Sequence, residues 1–158
     1  MASSLKNLST FSNKNLSDIA DRKFAIVVSE WNSEITERLY NGAYSTLLNG
    51  GAKEENIIRK DVPGSFELSL GAQYVAQWDD IDAVICLGCV IKGETPHFDF
   101  ICQAVANGIT QVALKYNKPV IFGVLTTLNM EQALERAGGK HGNKGDEAAV
   151  AAIKMLNF

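Results

Sequence analysis

The sequence predicts an α/β three-layer sandwich, with a mainly parallel four-stranded sheet flanked by helices. Two observations carry this. Short, continuous apolar runs recur along the chain, as in FAIVVS at 24–29 and AVICLGCVI at 83–91. Such runs mark strands buried on both faces. Between them lie stretches long enough for helices with one apolar face, and strands separated in this way pair in parallel through right-handed crossovers. With 158 residues, 46% of them hydrophobic, the chain can bury a core and fits one domain. We divide it into an N-terminal arm over 1–21, rich in Ser, Asn and Lys, and a single domain over 22–158.

The elements follow in order. The first strand is 24–29. Ile35, Leu39, Ala43 and Leu47 then recur on one helical face, and Gly50-Gly51 ends that helix. The second strand covers 56–62, and Pro63-Gly64 turns the chain into a helix over about 65–78. The third strand is 83–91. A helix over 96–116 sets Phe98, Ile101, Cys102, Val105, Ile109, Val112 and Tyr116 on one face. The fourth strand covers 120–126. Short helices follow at about 129–137 and 145–156, split by a Gly/Lys-rich loop. Two features ask for more burial than one chain provides. Helix 96–116 carries Phe100, Ala104 and Leu114 on a second side, and the run from Ala148 to Ile153 is apolar nearly all round. A helix of that kind is buried on more than one side, so a partner chain is expected.

Composition excludes several classes. The 15 Lys and Arg are outnumbered by 18 Asp and Glu, so the basic footprint of a nucleic-acid binder is missing. The longest apolar run, 83–91, is far below the roughly 18 residues that span a bilayer, so no membrane association is expected. The N-terminus has no apolar core of a signal peptide. Three Cys, an odd number, argue for a reducing, cytoplasmic setting rather than a disulfide framework. Cys86 and Cys89 form a CxxC inside a strand, where a separation of three points the side chains to opposite faces. They are too few for a structural zinc site, and no metal site is expected.

Open parallel sheets bind ligands beyond the carboxyl ends of their strands, so the residues there are the candidates. Strand one ends in Ser29-Glu30-Trp31-Asn32. A phosphate loop would need Gly and hydroxyls here. A Trp could instead stack on a planar ligand, or be a core or interface Trp. A phosphate-accepting receiver domain is disfavoured by the single acid followed by Trp. Strand two ends in Val62-Pro63-Gly64-Ser65-Phe66-Glu67. Glu67 suits a helix start, or faces a polar ligand together with backbone amides.

Strand three ends in Gly93-Glu94-Thr95-Pro96-His97-Phe98. Thr95 fits an N-cap and Pro96 the first helical position. The free amides of a helix start form an anion site. His97 beside it would add an acid/base group suited to a phosphorylated substrate. A plain capped helix is the alternative. After strand four, Arg136-Ala137-Gly138-Gly139-Lys140-His141-Gly142-Asn143-Lys144-Gly145 places three of the 15 cationic residues and one of the two His within nine positions. That concentration fits an anionic ligand, or a solvated loop at a helix C-terminus. Lys144 is followed by Gly145, so the loop is not a Walker motif.

Four segments, FAIVVSEWN, VPGSFELSLGAQ, LGCVIKGETPHFDF and FGVLTTLNMEQALERAGGKHGNKGDEAAVAAIKM, together resemble the lumazine synthase family from about Phe24 to the C-terminus. The resemblance implies a flavodoxin-like α/β fold and a cofactor-free transferase of riboflavin biosynthesis. Its reaction condenses 5-amino-6-(D-ribitylamino)uracil with 3,4-dihydroxy-2-butanone 4-phosphate. The amine attacks the ketone, an imine forms, phosphate leaves, the ring closes and water is lost.

The resemblance also implies site residues. Trp31 stacks on the pyrimidine, and Asn32, which follows it, also binds substrate. Ser65, Phe66 and Glu67 line the pyrimidine and ribityl chain, and Val90, Ile91 and Lys92 lie beside the ring. Gly93, Glu94 and Thr95 hold the phosphate, and His97 transfers protons. Phe122, Arg136 and Lys144 come from the neighbouring subunit, Arg136 to the phosphate and Lys144 to the pyrimidine side. Leu128, His141 and Glu94 depart from the family pattern. The implied partners are other copies of the chain, either in pentamers alone or in pentamers joined into a 60-subunit shell, with riboflavin synthase as a further candidate. A flavin or lumazine carrier would keep Trp31 without needing His97 or Arg136, and a shell protein would need only the interfaces.

Overall fold

The computed structural model describes residues 18–158. Most of the expected N-terminal arm, 1–21, lies outside them. Of the part described, Ile19 is packed into the core. The elements run β1 (Phe24–Ser29), α1 (Ser33–Asn49), β2 (Ile57–Val62), α2 (Leu68–Ala76), β3 (Ala83–Ile91), α3 (His97–Tyr116), β4 (Val120–Thr127), α4 (Met130–Glu135), β5 (Ala137–Gly139), β6 (Gly142–Asn143) and α5 (Lys144–Met155).

The first four strands form one sheet in the order β2-β1-β3-β4, and every pairing is parallel. β1 and β3 occupy the centre, which is why their runs are uninterruptedly apolar. Alternate side chains serve two cores. Phe24, Ile26 and Val28 of β1 pack with Ile85, Leu87 and Cys89 of β3 against α1 and α5. Ala25, Val27, Val84 and Cys86 pack against α2 and α3. The two cysteines thus lie on opposite faces, both buried. Burial pushes the thiol of Cys86 up to about 12 and that of Cys89 up to about 11.

Several expected boundaries move. Residues 65–67 form a separate 3-10 turn, and α2 starts only at Leu68 and stops at Ala76. The expected loop after α4 holds an antiparallel two-stranded hairpin, β5–β6. Gly138 and Gly142, at φ +104° and +83°, supply backbone conformations that side chains rarely adopt.

The last helix is a correction. Ala148, Ala149, Ala152 and Ile153 are already buried between α1 and the sheet, so α5 needs no partner chain. It can lie this close because Gly145 has no side chain. A Cβ there would collide with the carbonyl of Leu39 on α1. The second apolar side of α3 remains uncovered, with Phe100 69% and Leu114 78% exposed. Among the described residues no helix is long and apolar enough to cross a membrane.

Candidate active site

Four strand ends meet on one rim of the sheet, and β1 and β2 form its first mouth. β1 passes into α1 through Glu30, Trp31 and Asn32. The Glu30 amide donates to the carbonyl of Val62 at 2.9 Å and the Trp31 amide to that of Pro63 at 3.2 Å. These bonds continue the β1–β2 ladder past its last pair, Ser29 with Val62. The indole of Trp31 is 73% exposed. A Cβ on Gly64 would lie 3.3 Å from Trp31 Cδ1 and 3.2 Å from Glu67 Oε2. Gly64 therefore leaves the space between an exposed aromatic face and a carboxylate. Phe66 is also exposed here.

Ser65 stands at the same mouth but turns its side chain inward. It is 6% exposed and its hydroxyl is buried. That hydroxyl and the one on Ser29 approach Gly88, 2.6 and 3.3 Å from where a Cβ would stand. Neither hydroxyl has a hydrogen-bond partner among the described residues. The Ser65 side chain therefore faces the sheet, and only its backbone can meet a ligand at the mouth.

The second stretch follows β3. Val90 and Ile91 are half-buried and pair with Thr126 and Thr127 of β4. The Lys92 amide donates to the carbonyl of Thr127 at 2.9 Å. From Lys92 through His97 the chain is exposed. The expected cap shifts by one residue. Pro96 is the N-cap and His97 the first helical residue, with no side-chain cap. The Thr95 hydroxyl accepts only a long bond, 3.5 Å, from the His97 amide. Pro96 can offer no N–H, so its carbonyl starts the helix by accepting from Asp99 and Phe100. Gly93 has open space where a Cβ would be, so the segment can lie close to an anion at this helix start.

The third stretch lies beyond β4. A cleft of about 590 Å³ is lined by Thr127, Gln132, Glu135, Arg136, His141 and Lys144, among others. The Arg136 guanidinium is largely buried and donates to the His141 carbonyl and to Glu147, the latter at 2.8 Å. Lys144 Nζ donates to the other oxygen of Glu147 at 3.2 Å. Two cations thus share one carboxylate, in a cleft that Glu131, Glu135 and Lys140 also line, and their remaining N–H groups can meet an anion. The hairpin makes this arrangement possible, because the Lys144 amide donates to the Arg136 carbonyl at 2.9 Å.

The fold therefore brings Trp31, Phe66 and Glu67 to one mouth, with Val90 to His97 along the same rim. Arg136 and Lys144 gather in the cleft beyond β4. Phe122 is not brought to the rim. It is the third residue of β4, paired with Cys86, and partly exposed on that edge strand. Glu147 escaped the sequence reading. An acid in the first turn of a helix looks like ordinary helix-start chemistry, and only its spacing of three from Lys144 hinted at a pair.

Comparison with known proteins identifies the family. The family model described as 6,7-dimethyl-8-ribityllumazine synthase matches residues 21–158. A 6,7-dimethyl-8-ribityllumazine synthase of Cytophaga hutchinsonii is 65% identical over 156 residues, covering 99% of this chain and 98% of its own. That of Parabacteroides distasonis is 54% identical over 158 residues, covering 100% and 99%. That of Bacteroides fragilis is 59% identical over 136 residues, covering 86% and 95%. With the four sequence segments, the parallel α/β sheet and a match over nearly its whole length, the chain belongs to the 6,7-dimethyl-8-ribityllumazine synthase family.

Proposed function

We propose that this chain condenses 5-amino-6-(D-ribitylamino)uracil with 3,4-dihydroxy-2-butanone 4-phosphate to 6,7-dimethyl-8-ribityllumazine, releasing phosphate and water. This is the penultimate step of riboflavin biosynthesis. The observation that carries the reading is the exposed Trp31 indole standing beside Gly64 and Glu67 at the mouth of β1 and β2. A planar pyrimidine can stack there, with Glu67 and the backbone of Ser65 and Phe66 toward its polar edge and ribityl chain. Val90, Ile91 and Lys92 flank the ring. The phosphate lies at Gly93, Glu94 and Thr95, against the start of α3. His97, exposed as the first residue of α3, moves protons as the amine adds and phosphate departs. The bond changes are condensations and an elimination, with no net oxidation, so the chemistry calls for no redox cofactor.

The site is completed between subunits. We assign Phe122, Arg136 and Lys144 to the neighbour's site, in pentamers that build a 60-subunit shell in the cytoplasm, with riboflavin synthase as a partner. The large apolar residues left exposed on the neighbouring helices α2 and α3, Leu70, Tyr74, Phe100 and Leu114, support such an interface, which would cover them.

Phosphate release from the two substrates together tests the reaction. Release that requires both supports it, whereas binding without turnover indicates a carrier. Mixing tests the shared site. Co-refolded Arg136→Ala and Glu67→Ala/His97→Ala chains regain activity if each site uses two subunits. Activity no higher than the average of the parents places the site within one chain.

A further inference from the structure

We infer that Asn32 is a positioning residue that aims Trp31, rather than a contact for the ligand; this rests on the stacking reading above and deepens it. Asn32 is the N-cap of α1, yet its side chain makes no capping bond to that helix. The asparagines in the equivalent position of α4 and α5 do cap their helices, Asn129 from the Gln132 amide and Asn143 from the Gly145 amide. A side chain suited to capping is here spent elsewhere. Its Nδ2 donates to the carbonyl of Cys89 on β3, 2.9 Å away.

The backbone is equally specialised. Asn32 lies at φ 58° and ψ 46°, in the left-handed region that Asn tolerates better than most residues. This lets the chain leave β1 and enter α1 within three residues, Glu30 to Asn32. The Asn32 carbonyl then starts α1 by accepting from the amides of Ile35 at 2.8 Å and Thr36 at 3.1 Å.

The turn is therefore held from two sides. The amides of Glu30 and Trp31 tie it to the β2 side, and the Asn32 carboxamide ties it to β3. The indole, largely exposed, has little protein around it to fix its direction. Its aim comes from the backbone on which it stands. Removing the β3 tie leaves that backbone anchored on one side.

The experiment uses the full-length protein with Trp78→Phe, so that Trp31 is its one tryptophan. Asn32→Gly keeps access to the left-handed conformation and loses the tie. Asn32→Asp keeps the shape but has no N–H to give to the Cys89 carbonyl. Both variants should show faster local depolarisation of Trp31 fluorescence. Both should raise KM for the pyrimidine substrate by roughly two- to tenfold, the range of one hydrogen bond. The KM for the phosphorylated substrate and kcat should stay within about twofold of the parent.

In a Trp31→Leu background, Asn32→Gly should add nothing further to the pyrimidine KM, because its effect passes through the indole. A raised KM with unchanged Trp31 depolarisation overturns the inference and makes Asn32 a ligand contact. Unchanged depolarisation and unchanged KM overturn it as well. If Trp31→Leu alone leaves the pyrimidine KM unaltered, the stacking reading fails, while the depolarisation of the Asn32 variants still reports whether the tie aims the indole.

Discussion

Replacing Arg136 by Ala should weaken the phosphorylated substrate selectively. In the cleft beyond β4, Arg136 and Lys144 share the carboxylate of Glu147. That gives two positive charges against one negative. In Arg136→Ala the remaining Lys144–Glu147 pair is neutral, and an anion loses the guanidinium's charge and its free N–H donors. Two of the guanidinium's donors are committed to His141 and Glu147, and the others remain for a phosphate. Charge-assisted hydrogen bonds are worth about 1.5–3 kcal/mol, so KM for the phosphorylated substrate should rise roughly 10- to 150-fold. The pyrimidine KM should change little. Arg136→Lys should recover only part of the loss, because an ammonium cannot present the planar fork. The hairpin also loses the bond to the His141 carbonyl, worth about 1 kcal/mol of stability. The assay is phosphate release, with each substrate varied in turn at saturating levels of the other, beside a thermal melt. An unchanged phosphosubstrate KM with a raised pyrimidine KM would refute the reasoning and move Arg136 to the other end of the substrate pair.

Three further outcomes are expected. His97→Ala should lower kcat by about 100-fold or less, the low end for acid–base catalysis, since imine formation proceeds slowly without help; full turnover would remove His97 from the mechanism. Burial holds the Cys86 thiol at about 12. The unfolded chain loses that proton near its ordinary value of about 8.5 while the folded chain keeps it, so stability is complete below that value and falls as pH rises toward about 12. Between pH 8 and 10 the fall is about 1–2 kcal/mol, and denaturant midpoints of Cys86→Ala should lack that part of the slope. Gly145→Ala should destabilise by about 2 kcal/mol despite a helix-propensity gain of about 1 kcal/mol, because its Cβ meets the Leu39 carbonyl; an unchanged melting temperature would contradict this packing.

The sheet was readable because burial on both faces leaves no alternation to confuse, as in FAIVVS and AVICLGCVI. The candidate site was readable to the extent that it follows strand ends, which is how Trp31, Glu67 and Arg136 were found. What the sequence concealed depends on register across the sheet. The inward turn of the Ser65 hydroxyl requires Gly88 to stand beside it, and the tie from Asn32 requires the Cys89 carbonyl. Neither neighbour is near in sequence. The hairpin at 137–143 was missed because Gly-rich segments carry no side-chain alternation. The apolar surround of α5 was misread as an interface, because hydrophobicity does not say whether the chain itself or another copy provides the cover. Here α1 provides it.

The hairpin after α4 has a consequence for engineering. Its base is closed by the bond from the Lys144 amide to the Arg136 carbonyl, and a second bond runs from the His141 amide to the Glu135 carbonyl. Length and composition are therefore separable at this loop. Residues spliced into the tip beside Lys140, which is exposed, lengthen an arch whose feet stay pinned. The separation of Arg136 and Lys144 is unchanged by what the arch carries. A single residue added or removed between Asn143 and Lys144 would instead rotate the start of α5 by about 100° and swing Lys144 and Glu147 away from Arg136. The tip is the place to graft a peptide, and the feet are the place where one extra residue abolishes the cation pair.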